Sequence, residues 1–166
     1  QLTLLNRLKK DDRRTRQVIS LPGMCQYRTT RRIDGDYTLK VSDVYRHFAD
    51  SITAVNDFEH RNFLYEIPYR TLVRKGYDNL ITAGRSASGE GYAWDIVRVI
   101  PPAILTGQAA GCAAAQALSD GVGIDGIDVR KLQNTLARQN VLLHFDDSWI
   151  PKEGEPEVKE GPSNHI

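Results

Sequence analysis

Apolar positions along the chain change period several times, so no single repeat governs it. Leu4, Leu5 and Leu8 stand at helical spacing ahead of the mixed-sign run Lys9-Lys10-Asp11-Asp12-Arg13-Arg14. This predicts a surface helix over Leu2 to Arg16 that frays into a loop. Val18 to Leu21 reads as a short strand stopped by Pro22-Gly23. Met24 to Leu39 mixes β-formers with Arg28, Arg31 and Arg32 and turns at Asp34-Gly35, the pattern of a hairpin. Over Lys40 to Ala54, Val44, Tyr45, Phe48 and Ile52 follow Ser42 at roughly helical intervals, which predicts a helix with Ser42 as its N-cap. Tyr65 to Pro68 predicts a strand, with Tyr69 to Val73 continuing beyond the proline.

The richest stretch runs from Asp78 to Asp120. Leu80-Ile81-Thr82-Ala83 is a short apolar run expected of a buried strand, ending at Gly84. A loop of small residues, Arg85 to Gly91, follows it. From Pro101 to Leu118 the chain predicts an Ala-rich helix, its tandem prolines placed in the first turn, where a missing N–H costs nothing. Gly107 and Gly111 lie one turn apart among Ala103, Ala110 and Ala114, so one helix face is nearly bare backbone. A close neighbour is expected there, either a sheet or a ligand.

Gly121-Val122-Gly123-Ile124-Asp125-Gly126 matches the letters of a dinucleotide-binding fingerprint. That fingerprint needs a strand immediately before it, whereas here a helix ends at Ser119-Asp120, so helix termination and a loop are predicted. Asp128 then caps a last helix, Val129 to Gln139, with Leu132 and Leu136 facing inward. Pro151 to Ile166, rich in Pro, Gly, Glu and Lys, reads as an extended or mobile tail.

Composition narrows the classes. A length of 166 residues is enough for one ordinary core, and a net charge of +1 supplies no broad attraction to nucleic acid or to an anionic membrane. No apolar run reaches the length needed to span a bilayer, and the N-terminus shows no targeting pattern. The compartment stays open. Cys25 and Cys112 are too few for a disulfide framework and lack zinc-type spacing, so no metal site is expected. The chain opens on Gln1 as though continuing something already under way.

Strand, Gly-rich loop and small-residue helix together expose a helix N-terminus at the carboxyl end of a strand. Such a site suits an anion or a polarised carbonyl, because backbone N–H groups and the positive end of the helix dipole converge there. Arg85 and Arg98 flank the loop and can either bind a ligand or pair with Glu90 and Asp95. A hydrolase turn at Gly84-Arg85-Ser86 lacks the second glycine of G-x-S-x-G and an evident His-Asp partnership.

Several ordered motifs carry a resemblance. Tyr65-Glu66-Ile67-Pro68-Tyr69-Arg70, then Asp78-Asn79-Leu80 through Ala83-Gly84-Arg85, then Arg98-Val99-Ile100-Pro101-Pro102 through Gly107-Gln108-Ala109-Ala110-Gly111, resemble a bacterial family of FAD-dependent oxidoreductases. The upstream run from Arg28 to Leu39 is similar to a second signature of that family. The resemblance implies an α/β fold: the C-terminal part of a Rossmann-like FAD-binding domain over 71–150, joined to mixed and antiparallel strands of a substrate domain over 1–70, with 151–166 as tail.

It also implies roles. Gly84 would let backbone approach the cofactor, and Arg85, with Ser86 beside it, would lie near the ribityl or pyrophosphate region. Arg98, Val99 and Ile100 at the helix start would stabilise negative charge on the reduced flavin. Arg28, Arg31, His60 and Tyr65 would be substrate-pocket candidates; Arg31 is the favoured arginine, against a sheet-surface ion-pair cluster as the alternative. Two positions depart from many relatives, Thr29 in place of an acidic residue and Ser86 in place of cysteine, and the absence of a dithiol argues against disulfide-reductase chemistry.

No strand–G-x-G-x-x-G–helix unit occurs in these residues. The adenosine and pyrophosphate half of the FAD site must then come from the missing N-terminal part or from a partner chain, and the chain alone should be inactive. The expected function is hydride or electron transfer between FAD and a small-molecule substrate. A non-catalytic assembly or docking domain of flavoprotein origin is the alternative.

Overall fold

The computed structural model describes residues 29–152. The helix expected over Leu2 to Arg16, the strand over Val18 to Leu21, Arg28 and nearly all of the tail lie outside that range. Within it, helices and a small antiparallel sheet combine in a mixed α/β arrangement around a main hydrophobic cluster, with a smaller one at Ala54, Leu64 and Phe145.

Strand β1 (Ser51–Asn56) pairs antiparallel with β2 (Leu64–Pro68), with Thr53 opposite Ile67 and Val55 opposite Tyr65. Every residue of β2 is buried. It stops at Pro68, which cannot donate to a ladder, and the chain then makes a 3₁₀ turn over Tyr69–Thr71 rather than extending the strand. Leu80 to Ala83 contributes one antiparallel bridge, Val73 to Ile81, in place of a full buried strand, and Leu80 is 41% exposed.

The helix expected over Lys40 to Ala54 is absent. Only a 3₁₀ turn forms, Val41–Asp43, and β1 begins at Ser51. Asp43 rather than Ser42 organises the turn, accepting the Lys40 N–H at 2.9 Å and the Tyr37 hydroxyl at 2.8 Å. Tyr45 at φ 60 cannot continue a right-handed helix. The β-branched residues Ile52, Thr53 and Val55 suit a strand, so the helical spacing of Phe48 and Ile52 was coincidental.

The hairpin turning at Asp34-Gly35 does not form in the described residues either. Residues 33–39 bond outward instead: the Ile33 N–H reaches the Ser86 carbonyl at 2.9 Å, Tyr37 reaches Arg70 at 3.1 Å, and Leu39 reaches Ser88 at 3.0 Å. Gly35 marks a crossing, because a Cβ there would meet the Arg70 oxygen at 2.8 Å and Ser88 Cβ at 2.9 Å.

Past the small-residue loop expected to end at Gly91, residues given no element in the sequence form a helix, α1 (Gly91–Arg98), which buries Ala93, Ile96 and Val97 along one face. It meets α2 (Ile100–Asp120) at a 76° bend through the extended residue Val99. Pro101 and Pro102 occupy the first turn of α2, and Gly121 at φ 65 ends it, as expected of a left-handed cap. The chain then turns through Ile124–Gly126 into α3 (Val129–Arg138), where the Asp128 carboxylate accepts the Arg130 and Lys131 N–H groups and Leu132 and Leu136 are fully buried.

Ile52, Tyr65, Ile67, Leu72, Ile96, Val97, Ala109, Ala113, Leu132 and Leu136 share one core. After α3 the chain returns along β1, with the Ala54 N–H on the Leu142 carbonyl at 2.7 Å and the Ser51 hydroxyl on the Leu143 carbonyl at 2.6 Å. Among the described residues, no single helix is long and apolar enough to cross a membrane.

α2 buries the face carrying Pro102, Thr106, Ala109, Ala113 and Gln116. The stripe Ile100, Ile104, Gly107, Gly111, Ala115 and Leu118 is exposed, with Ile100 at 75% and Leu118 at 85%. The close neighbour expected at Gly107 and Gly111 is therefore not among the described residues, for a Cβ at either glycine would meet nothing within 4 Å.

Candidate functional site

Ala83 is extended and Gly84 turns at φ 57, a conformation that side-chain-bearing residues rarely adopt. The Gly84 N–H donates to Thr106 Oγ1 at 2.9 Å, and Thr106 in turn donates to the Pro102 carbonyl at 2.7 Å. A Cβ on Gly84 would lie 3.1 Å from Ala103 Cβ. These contacts fix the Gly84–Ser86 turn against the first two turns of α2. The carbonyl of Arg85 accepts the Trp94 indole N–H at 2.9 Å, and that of Ser86 accepts Ile33, while both side chains remain exposed.

The N-terminus of α2 is open. Val99 precedes it in extended geometry, and no side chain caps it. Pro101 and Pro102 lack N–H groups, so Ile100 supplies the one backbone donor among the first three helical residues. The arrangement offers the positive end of a 21-residue helix and few competing partners. Arg98 closes α1, and its guanidinium bonds the Asp95 carboxylate, the ion-pair role that the sequence left open for it.

Of the arginines in the upstream run, Arg32 rather than Arg31 touches the loop. Its guanidinium donates to Ser88 Oγ at 2.9 Å and to the Ile33 carbonyl at 3.0 Å, and lies 6.0 Å from the Trp94 ring centre. Arg31, the favoured residue, is exposed with its neighbour turned inward. Arg28 lies outside the described residues.

His60 and Tyr65 fall at the other end of α1, which over eight residues is roughly 12 Å long. His60 stacks on Phe63 at 5.0 Å and meets Tyr92 edge-on at 6.4 Å. Tyr65 is a core residue, 1% exposed, whose hydroxyl donates to the Val41 carbonyl. Burial first, then the charge of Asp57, pushes its pKa up to about 12.

That end holds residues the sequence reading missed. The buried Asp57 accepts the Tyr92 hydroxyl and the Glu59 N–H, both at 3.0 Å, on Oδ1, while Oδ2 has no hydrogen-bond partner. Burial, then the hydrogen bond to Asp57, raises the Tyr92 pKa. Asp57 and Tyr92 are 35 positions apart, so no local spacing signals the pair.

The predicted positions thus form two groups. Gly84 packs on the first two turns of α2, which starts at Val99 and Ile100, with Arg85 and Ser86 following in the same turn and Arg98 just before α2, while His60 and Tyr65 stand apart. Residues 9–136 match the FAD dependent oxidoreductase family.

The chain belongs to that family. FAD is accordingly its cofactor, and its general chemistry is redox. No curated protein and no solved structure matches the chain. The uncapped α2 start fits one electron-rich side of a flavin, since it presents a donor and the helix dipole without a side chain of its own in the way.

Proposed function

We propose that this chain forms one side of a flavin site in an oxidoreductase acting on a small-molecule substrate. In this reading, residues 71–150 are the closing part of a Rossmann-like domain and the preceding residues belong to a substrate domain. When bound, FAD supplies hydride or electron transfer. The chain's part is to hold the Gly84 turn against α2, to direct the Ile100 N–H and the helix dipole at developing negative charge, and to line the rim with Arg85 and Arg98.

The uncapped start of α2 beside the Gly84 turn carries this reading. The exposed apolar stripe of α2 supports its second half, in which the pyrophosphate-binding unit comes from another segment of the polypeptide or from a partner chain. A docking role without catalysis would use the same stripe, and bound flavin in the longest natural form separates the two.

Ile100→Pro tests the site directly. Proline is tolerated at the first helical position, and Val99 already has the extended backbone that a residue before proline prefers. The substitution removes the donor and leaves the helix. In the flavin-loaded full-length protein it should lower the two-electron potential by about 30–60 mV, the equivalent of one charge-assisted hydrogen bond. An unchanged potential with flavin still bound would place the flavin elsewhere.

A further inference from the structure

Away from the Gly84 turn, three separate parts of the chain bring two histidines and a glutamate face to face. Glu66 lies in the middle of β2 with its side chain fully buried. Its Oε2 accepts the Phe48 N–H at 2.7 Å, while Oε1 is 2.6 Å from His47 Nδ1 and 2.9 Å from His144 Nδ1. The three inward atoms all lie within 4.8 Å of one another. The histidine rings are 44% and 46% exposed, so the site opens to solvent on one side.

A buried carboxylate needs compensating charge or donors. Protons on both Nδ1 atoms meet that need, and so does one divalent cation that replaces them. Three features point to the cation. Two imidazoles and one carboxylate with an open position are a donor set that zinc takes. The far side of each of two ligands is already held, with His47 Nε2 on Asp147 Oδ1 at 2.8 Å and Glu66 Oε2 on the Phe48 N–H. Such outer partners fix the tautomer and orientation of a ligating ring and raise its basicity. The His47 ring is further set by stacking on Phe145 at 4.3 Å.

We propose that His47, Glu66 and His144 form a divalent-cation site, with zinc as the ion their chemistry fits and solvent completing its coordination. Tetrahedral ligands about 2.0–2.1 Å from zinc stand roughly 3.3 Å apart, so the two contacts to Oε1 must open by about half an ångström. The ion would tie the segment after α3 to the sheet, joining positions separated by 19 and 78 residues. The proposal runs against the expectation of no metal site, which rested on cysteine spacing alone.

Protons compete for the same atoms. The Asp147 hydrogen bond, then that of Glu66, raises the His47 pKa, so binding should be measured at about pH 8. The chelator-stripped 166-residue chain is titrated with Zn²⁺ by calorimetry and with Co²⁺ by visible absorption. One equivalent of each is expected, with Co²⁺ bands of nitrogen and oxygen coordination and a raised thermal midpoint. His47→Gln and His144→Gln, both on half-exposed rings, should each weaken Zn²⁺ at least about 100-fold while keeping the wild-type far-UV spectrum; Asp147→Asn should weaken it about 10-fold. Absence of stoichiometric binding, or binding that both histidine variants leave unchanged, overturns the site.

Discussion

Two glycines on the same structural path should respond in opposite directions to the same substitution. Gly84 is held at φ 57 with Ala103 Cβ 3.1 Å from where its own Cβ would stand. Gly84→Ala should therefore cost about 1–3 kcal/mol in urea unfolding of the chain. Gly107 is helical, exposed and without a neighbour within 4 Å, so Gly107→Ala should stabilise the same chain by about 0.5–1 kcal/mol. Equal effects at the two positions would contradict the local geometry. The sequence marks both as glycine in a small-residue stretch and does not tell a strained turn from a bare helix face. It likewise offers Arg31 and Arg32 side by side, and only the path of residues 33–39 across the Ser86–Ser88 backbone decides that Arg32 turns inward.

Helices announced by their ends were legible. Pro101-Pro102 opens α2, Gly121 closes it, and Asp128 caps α3, each where local chemistry requires. Asp128→Ala should accordingly cost about 1 kcal/mol, and Leu136→Ala, at a fully buried position, about 2–5 kcal/mol, both by urea unfolding. α1 was not legible, because Gly89 and Gly91 read as loop and its N-terminal residue starts from a left-handed glycine. The segment over Lys40 to Ala54 misled for a different reason. Apolar residues reaching the core from a turn, a loop and a strand happened to fall at helical intervals, and tertiary contacts override such a pattern. The candidate site was visible at Gly84 and the α2 start because a contiguous run encodes it; the Asp57–Tyr92 pair and the His47–Glu66–His144 cluster are assembled from distant segments and leave no local mark.

At the scale of the whole molecule, alkaline pH tests the buried tyrosines. Tyr65 holds its proton to about pH 12 in the folded chain against 10 ordinarily, and Tyr69 is raised too, chiefly by burial. The unfolded chain then gives up protons first, so this contribution to stability is intact below about pH 10 and falls between pH 10 and 12. Tyrosinate absorbance should rise together with loss of far-UV signal in that window; ionisation of all the tyrosines near pH 10 with the fold intact would refute the burial.

The open face of α2, from Ile100 to Leu118, gives the molecule one side fit for a further layer. In the proposed reading, that layer is the unit that holds the rest of FAD. A visible absorption titration with FAD, run on the longest natural form of the protein and on the 166-residue chain in parallel, tests this most directly. One bound flavin per polypeptide in the long form, with weak or no binding by the short chain, is the predicted result. A long form that binds no flavin, or a short chain that binds FAD as tightly as the long one, would contradict it.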